Sequence, residues 1–367
     1  MPHEYAPKFA NDKERYQEHL AWLTMSQCKE ITPRELWKCL ARFRSAQETA
    51  ERLLGSRPTD SAPSSSGFVI DKIKALEERA AKRRERIVTP ADAEYPRQLF
   101  DLPQPPAALF VAGQKSLQVS NQIAIVGSRL ATPYGMSQAA ILARGLAERG
   151  LTITSGLARG IDAQAHRGAL KGGGHTIAVI GCGLDIYYPR ENARLQRHIA
   201  AVGNVISEYA YGTQPNAWHF PARNRIIAAL AMGTIIVQAS NHSGALITAN
   251  IANDLGREVM AVPGALDVLQ SGGCLQLILD GANPVRHVRD VFDVLQVFEP
   301  ASSAAENAPA ISPSASIILK NLTAEGSTVN ELVEKCRLAP GLTASALNQL
   351  NIAGHVQCLP EGIWIPT

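Results

Sequence analysis

Leu151-Thr152-Ile153-Thr154 runs straight into Ser155-Gly156-Leu157-Ala158-Arg159-Gly160-Ile161-Asp162-Ala163-Gln164-Ala165-His166. A short apolar run with β-branched residues reads as a buried strand. The small residues after it read as a tight turn, followed by a helix start. Ser155, Gly156 and Gly160 let the backbone bend sharply, which predicts amide N–H groups facing outward at a helix start. Such amides attract anions, phosphate above all. Arg159 and Arg167 place two full positive charges beside the turn.

The same pattern recurs on both sides of this stretch. Ile123–Val126, Leu151–Thr154, Thr176–Ile180, Asn204–Ser207, Thr234–Gln238 and Glu258–Val262 are short apolar runs. Between them lie Ala- and Arg-rich stretches with helical spacing, among them Met136–Glu148 and Asn224–Leu230. Strands alternating with helices predict an α/β domain, a doubly wound and mostly parallel sheet with helices on both faces. In such a sheet the ligand crevice lies at the carboxyl ends of the strands.

Four further segments fall at those ends. Gly127-Ser128-Arg129 follows the first strand, Gly181-Cys182-Gly183-Leu184-Asp185 the third, with Tyr187-Tyr188-Pro189-Arg190 just beyond. Phe220-Pro221-Ala222-Arg223-Asn224-Arg225 opens a helix, and Ser243-Gly244 lies after the Thr234–Gln238 strand. Convergent backbone donors with Arg129, Arg159, Arg190, Arg223 and Arg225 describe a polyanion site. Tyr187, Tyr188, Trp218 and Phe220 are interleaved with that charge. Guanidinium groups for phosphates and rings for bases suit single-stranded nucleic acid. Asp162, His166 and Asp185 are the polar candidates for acid–base work, although Asp162 also suits the cap of the helix after the turn. Neither a Walker lysine pattern nor a GxGxxG fingerprint is present, so neither ATP nor NAD is expected.

The 367 residues carry 36 Lys and Arg against 33 Asp and Glu, a formal net charge of +3. A balance that small neither demands nor excludes nucleic acid, so local distribution decides. The six cysteines lack CxxC spacing and metal-ligand neighbours, which predicts no metal site. Cys182, in its Gly-rich turn, reads as a small reduced side chain, with a reactive thiol as the alternative. No apolar stretch is long enough to span a bilayer, and Met1–Lys13 is polar without a signal-peptide core. A cytosolic protein is expected.

Residues 14–54 read as helical, with Thr32-Pro33-Arg34-Glu35 as a capped helix start. Gly55–Gly67 reads as a loose loop, Ile70–Ile87 as a charged helix, and the Ala/Ser/Pro stretch after Pro300 as a linker. Beyond it, Ile317–Leu322, Val329–Cys336 and Thr343–Ala353 suggest three helices. Val356–Leu359 and Ile363–Ile365 suggest a hairpin about Pro360-Glu361-Gly362. Three helices and a hairpin make a winged-helix module. Its presumed recognition helix, Leu342–Ala353, holds no Lys or Arg, which argues against duplex reading and for a protein contact.

Val126-Gly127-Ser128-Arg129, the 155–162 stretch with His166, and Phe220-Pro-Ala-Arg-Asn-Arg-Ile-Ile resemble the DprA (Smf) family of DNA-processing proteins. Tyr95-Pro96, Tyr188-Pro189, Ser243-Gly244 with Thr248, and Val262-Pro263-Gly264 add to the resemblance, which covers about residues 90–290. It implies an extended Rossmann-like domain over 89–297, after a helical SAM-like domain over 1–88. A linker over 298–313 and a winged-helix domain over 314–367 would follow. It also implies a non-catalytic single-stranded-DNA-binding protein. Such proteins protect incoming strands in natural transformation, load the recombinase RecA and dimerise through the Rossmann-like domain. Carried over residue by residue, Arg129 holds a phosphate beside Gly127 and Ser128. Arg190 is the basic residue after Tyr-Pro, and Arg223 and Arg225 are the Arg-Asn-Arg pair.

Three departures stand out. Glu30-Ile31-Thr32-Pro33 replaces the glycine-containing helix-hairpin-helix turn of many relatives. Gln238 stands where relatives often carry an acid, and Ser271-Gly272-Gly273-Cys274-Leu275 lacks the Asn that commonly follows the Gly. The competing readings are a nucleotide-processing hydrolase using Asp162 and His166, and a winged-helix transcription regulator.

Overall fold

The computed structural model describes residues 5, 9–28, 31–55, 65–297, 312–323, 326–352, 355–358 and 362–366. The chain divides into two units, Met1–Pro300 and Ala301–Thr367.

The first unit begins with helices α1 (Asp12–Gln27), α2 (Pro33–Phe43), α3 (Ala46–Gly55) and α4 (Ser65–Arg83). The expected start of α2 is present as a full capping box. Thr32 accepts from the Glu35 amide and Glu35 reaches back to the Thr32 amide, with Pro33 in the first turn. Glu18 in α1 caps α3 in turn, accepting from the Ala46 and Gln47 amides while it takes the Tyr5 hydroxyl. Its carboxylate is buried, so those donors are what make burial of the charge tolerable. The charged helix expected over Ile70–Ile87 stops at Arg83. Arg84 adopts a left-handed conformation (φ 56°), and the β-branched Ile87 and Val88 go into strand β1 (Glu85–Val88). The segment expected to be helical through residue 88 therefore ends in a sheet strand.

The nine strands of the unit are β1, β2 (Leu109–Ala112), β3 (Gln122–Val126), β4 (Thr152–Ser155), β5 (Thr176–Ile180), β6 (Asn204–Ser207), β7 (Gly233–Ile236), β8 (Glu258–Ala261) and β9 (Asn283–Pro284). They form one sheet in the order β1-β2-β6-β5-β4-β3-β7-β8-β9. Strands β3 to β9 pair in parallel, and β1 and β2 extend that sheet antiparallel along β6. The crossover helices are α5 (Pro133–Glu148), α6 (Ile161–Lys171), α7 (Ala193–Val202), α8 (His219–Leu230) and α9 (Gly244–Asp254), followed by α10 (Gly272–Leu279) and α11 (Val288–Leu295).

Period-two alternation along the strands feeds both faces. In β3, Ile123 and Ile125 join the core under α5 and α6, while Ala124 and Val126 join the core under α8 and α9. In β7, Ile235 goes to the first of these and Ile236 to the second. Each such fully buried Ile or Val side chain contributes on the order of 1.5–3 kcal/mol. Strand β3 is also where the winding direction reverses. The chain moves outward through β4, β5 and β6, then returns to place β7 on the other side of β3. The loops leaving β3 and β7 therefore diverge to opposite faces and open a crevice between them.

The second unit holds α12 (Pro313–Asn321), β10 (Ser327–Thr328), α13 (Val329–Cys336), α14 (Pro340–Ile352), β11 (Val356–Cys358) and β12 (Ile363–Pro366). Its three-stranded antiparallel sheet has the order β10-β12-β11. Ala315, Ile318, Leu332, Leu347 and Leu350 make its own core. The expected Pro360-Glu361 turn and most of the expected 298–313 linker lie outside the described residues.

Candidate nucleic-acid interface

At the carboxyl ends of β3 and β7 a cavity of about 570 Å³ is lined by Gly127, Ser128, Arg129, Phe220, Arg223, Asn224, Ser243 and Gly244. Eight of the fourteen residues expected at the site thus come together, from the loop after β3, the first turns of α8 and the start of α9. Tyr188, Asp162, Pro215 and Thr248 share the lining. A second depression, about 660 Å³, shares Tyr188 and Pro215 with the first and carries Arg190.

The backbone around the crevice is tightly made. A Cβ on Gly127 would come within 2.7 Å of Ile161 Cγ1 and 2.8 Å of the Gln238 carbonyl. Gly160 has φ 69° and ψ −123°, conformational space that favours glycine, and its Cα faces the Ser128 carbonyl. The Ser128 amide donates to the Gln238 carbonyl (2.6 Å), and the Ile161 amide donates to the Ser128 carbonyl (3.3 Å). Gln238, the departure from the family pattern, clamps the start of α5. Its Oε1 accepts from the Thr132 amide and its Nε2 donates to Thr132 Oγ1, both at 2.9 Å. The amide donates and accepts at once, where an ionised carboxylate could only accept.

The five arginines do not share one role. Arg129 is exposed, has no carboxylate partner among the described residues, and lies over the Phe220 ring at 5.1 Å. Arg223, expected to grip phosphate, is instead 4% exposed. Its Nη1 donates to the carbonyls of Gly156 (2.6 Å) and Val179. Burial lowers its pKa from 12.5 to about 10, against the opposing pull of Asp162. A Cβ on Gly156 would collide with that guanidinium, so the glycine makes room for the arginine rather than for a ligand.

Arg225, also expected in the crevice, does not line it. Its Nη2 is held by both oxygens of Glu208 (2.6 and 2.7 Å). Arg159 is exposed at the rim but paired with Glu191. Arg190 is exposed in the second depression.

The 155–162 turn departs from expectation in the same direction. Ser155 is buried, with its hydroxyl donated to the Ile125 carbonyl (2.6 Å). Gly160, not Asp162, stands at the cap of α6. The Asp162 carboxylate accepts from the Ala158 amide (3.4 Å) and is also stabilised by the Gly127 amide, so it braces two loops together. Desolvation raises its pKa, partly offset by Arg223. The amides read as free for an anion are in part satisfied from within.

His166 does not line the crevice. Its Nδ1 is 2.7 Å from Thr176 Oγ1, whose own proton goes to the Ile153 carbonyl, so the imidazole is the donor in that bond. Burial lowers its pKa to about 3, and it stays neutral. Burial likewise raises the Cys182 thiol to about 11, so the thiol is protonated at neutral pH. Asp185 accepts from the Gly212 amide and pairs with Arg79. Among the described residues no cluster of His, Cys, Asp and Glu could hold a metal ion.

The rings are better placed for a ligand. Tyr188 stacks on Phe220 with centroids 5.3 Å apart, leaving Tyr188 41% exposed at the junction of the two depressions. Trp218 is 62% exposed beside His219, which itself stacks on Tyr209. Glu191 and Glu208, which neutralise two of the arginines, carry no local sequence signal for that role; chain topology alone brings them there.

The family model for DNA recombination-mediator protein A matches residues 86–296. Protein Smf of Synechocystis sp. is 38% identical over 293 residues, which is 75% of this chain and 71% of that protein. DNA processing protein DprA of Streptococcus pneumoniae is 46% identical over 197 residues, 54% of this chain and 70% of that protein. The crystal structure of the S. pneumoniae protein is similar with a TM-score of 0.64 at 36% identity, covering 74% of this chain and 97% of that one. DNA processing protein A of Helicobacter pylori, whose structure concerns its single-stranded DNA binding mode, has a TM-score of 0.53 at 31% identity, covering 58% and 96%. With the crevice, the switch of winding direction and these likenesses together, the chain belongs to the DNA recombination-mediator protein A family, the DprA/Smf proteins.

Proposed function

We propose that this chain binds single-stranded DNA in the crevice at the ends of β3 and β7. The observation that carries this reading is Arg129, exposed, without an ion-pair partner among the described residues, and set over Phe220 beside the stacked Tyr188. A phosphate at Arg129 puts its base within reach of those rings, the pairing of charge and π-face that single strands need. Arg223 adds positive potential from beneath the floor, where low polarisability lets it act at longer range. The Gly127-Ser128 backbone and the start of α9 at Ser243-Gly244 complete the polar lining.

On this reading the protein is a recombination mediator that shields incoming strands and passes them to the RecA recombinase in the cytosol. It acts as a homodimer through the Rossmann-like domain, without catalysis. The pinned, neutral His166 speaks against the hydrolase alternative, and incubation with a nucleotide panel tests it: turnover lost in Asp162→Asn would favour the enzyme. The helical segment before β1 serves as a SAM-like domain. The second unit is read as a winged helix, and its α14, which lacks Lys and Arg, favours a protein contact.

Binding of oligothymidylate should weaken as salt rises, with a slope of about −0.7 per phosphate neutralised. Arg129→Ala should lower affinity for unrelated sequences alike and shrink that slope by about one contact. An Arg129→Ala protein that binds oligothymidylate with wild-type affinity and slope would remove the crevice as the site.

A further inference from the structure

We infer a second nucleotide-binding subsite, on α7 and the loop before it, that takes the strand as it leaves the crevice. The inference rests on the single-strand reading above and extends it to residues outside the crevice. The second depression opens directly from the first across Tyr188 and Pro215, and its lining holds Tyr187, Arg190 and Ala193. Tyr187 is 39% exposed and Arg197 lies over its ring at 5.8 Å.

Arg190, Ala193, Arg194 and Arg197 follow helical spacing. They put three guanidinium groups along one face that starts inside the depression. Arg190, Arg194 and Arg197 are exposed and have no carboxylate partner among the described residues. The two acids nearby are already engaged: Glu191 with Arg159, and Asp185 with Arg79 and the Gly212 amide.

An exposed ring capped by a guanidinium, followed by two more cations at one-turn spacing, fits a strand running on with one base on Tyr187. Its backbone would lie along α7. The ligand class is single-stranded nucleic acid long enough to cover both depressions.

The test compares oligothymidylates of about 5 and about 15 nucleotides, short and long relative to known single-strand site sizes. The proteins are wild type, Arg129→Ala, Tyr187→Ala and the double variant Arg194→Ala/Arg197→Ala. The α7 double variant should bind the short oligonucleotide like wild type. It should bind the long one about three- to tenfold more weakly, with a salt slope smaller by about 1.4, two single-strand contacts. Tyr187→Ala should lose ultraviolet crosslinking of halogenated long oligonucleotides to the segment around residue 187, while Tyr187→Phe retains it.

If the α7 variant matches wild type on both lengths while Arg129→Ala loses both, the second subsite is wrong and the crevice stands. If wild type binds neither oligonucleotide, both readings fall. Because Arg194 and Arg197 are exposed, unchanged thermal unfolding should accompany the loss, and a fall in stability without a length effect would also overturn the inference.

Discussion

Arg129 and Arg223 carry the same side chain and sit on the same crevice, yet they do different work. Arg223 is a buried pin that donates to two carbonyls, so removing it takes a donor from the Gly156 and Val179 oxygens and opens a void. Arg223→Ala should lower unfolding free energy by about 2–4 kcal/mol, measured by denaturant titration, and weaken binding both through that loss and through the positive potential it removes from the crevice. Glu191 has the opposite character. It occupies Arg159 at the rim, and Glu191→Gln should free that cation and raise single-strand affinity about two- to fivefold at low salt, with the gain fading as salt screens the site. His166 supplies a pH signature. The unfolded chain takes up its proton near pH 6.5, whereas the folded chain resists until about pH 3. Between those values the unfolded state binds more protons, so stability falls as pH is lowered. A His166→Gln protein should show a shallower loss across that window in denaturant midpoints.

At the scale of elements, the start of α5 is held from outside the helix. Thr132 accepts from the Gly135 amide (3.2 Å) while Gln238, at the end of β7, grips Thr132 by amide and hydroxyl. Thr132→Ala should cost about 1 kcal/mol. The Thr132→Ala/Gln238→Ala double variant should cost less than the sum of the two single changes by about 1 kcal/mol, since both remove one shared network. A strictly additive cycle in thermal or denaturant unfolding would show that the clamp is not coupled. This clamp joins the two loops that diverge at β3 and β7, so it sets the mouth of the crevice as well as the helix. The six central strands were legible from their β-branched runs to within two residues. β2 was not, because Leu109–Ala112 follows Pro-rich sequence and gains its strand character only by pairing with β1 and β6.

For the whole molecule, the two units keep separate cores, one built around the nine-stranded sheet and one among α12, α13 and α14. A chain ending at Pro300 should therefore unfold cooperatively on its own. It should also retain oligothymidylate binding within about threefold of the full chain, as expected when distant parts contribute independently. Loss of cooperative unfolding in that chain would show that residues 301–367 complete the first core. Within the first unit, α1 and α4 pack into the same fabric as the sheet. His19 in α1 meets Asp92 at 2.7 Å, and Arg79 in α4 reaches Asp185. Burial in this assembly, rather than local preference, makes the helices before β1 part of the sheet unit.

The residue pattern alone carried the alternation of strands and helices, the parallel sheet, the position of the crevice and the motifs that gather there. All of these follow from local periodicity and from glycine, proline and capping chemistry, which a short window of residues contains. The fate of each arginine was a different matter. Whether a guanidinium faces solvent, a ring, a carbonyl or a carboxylate depends on partners far away in the chain: Gly156 and Val179 for Arg223, Glu208 for Arg225, Glu191 for Arg159. Coulombic and desolvation energies act through space, and only the folded arrangement of the sheet brings those partners within reach.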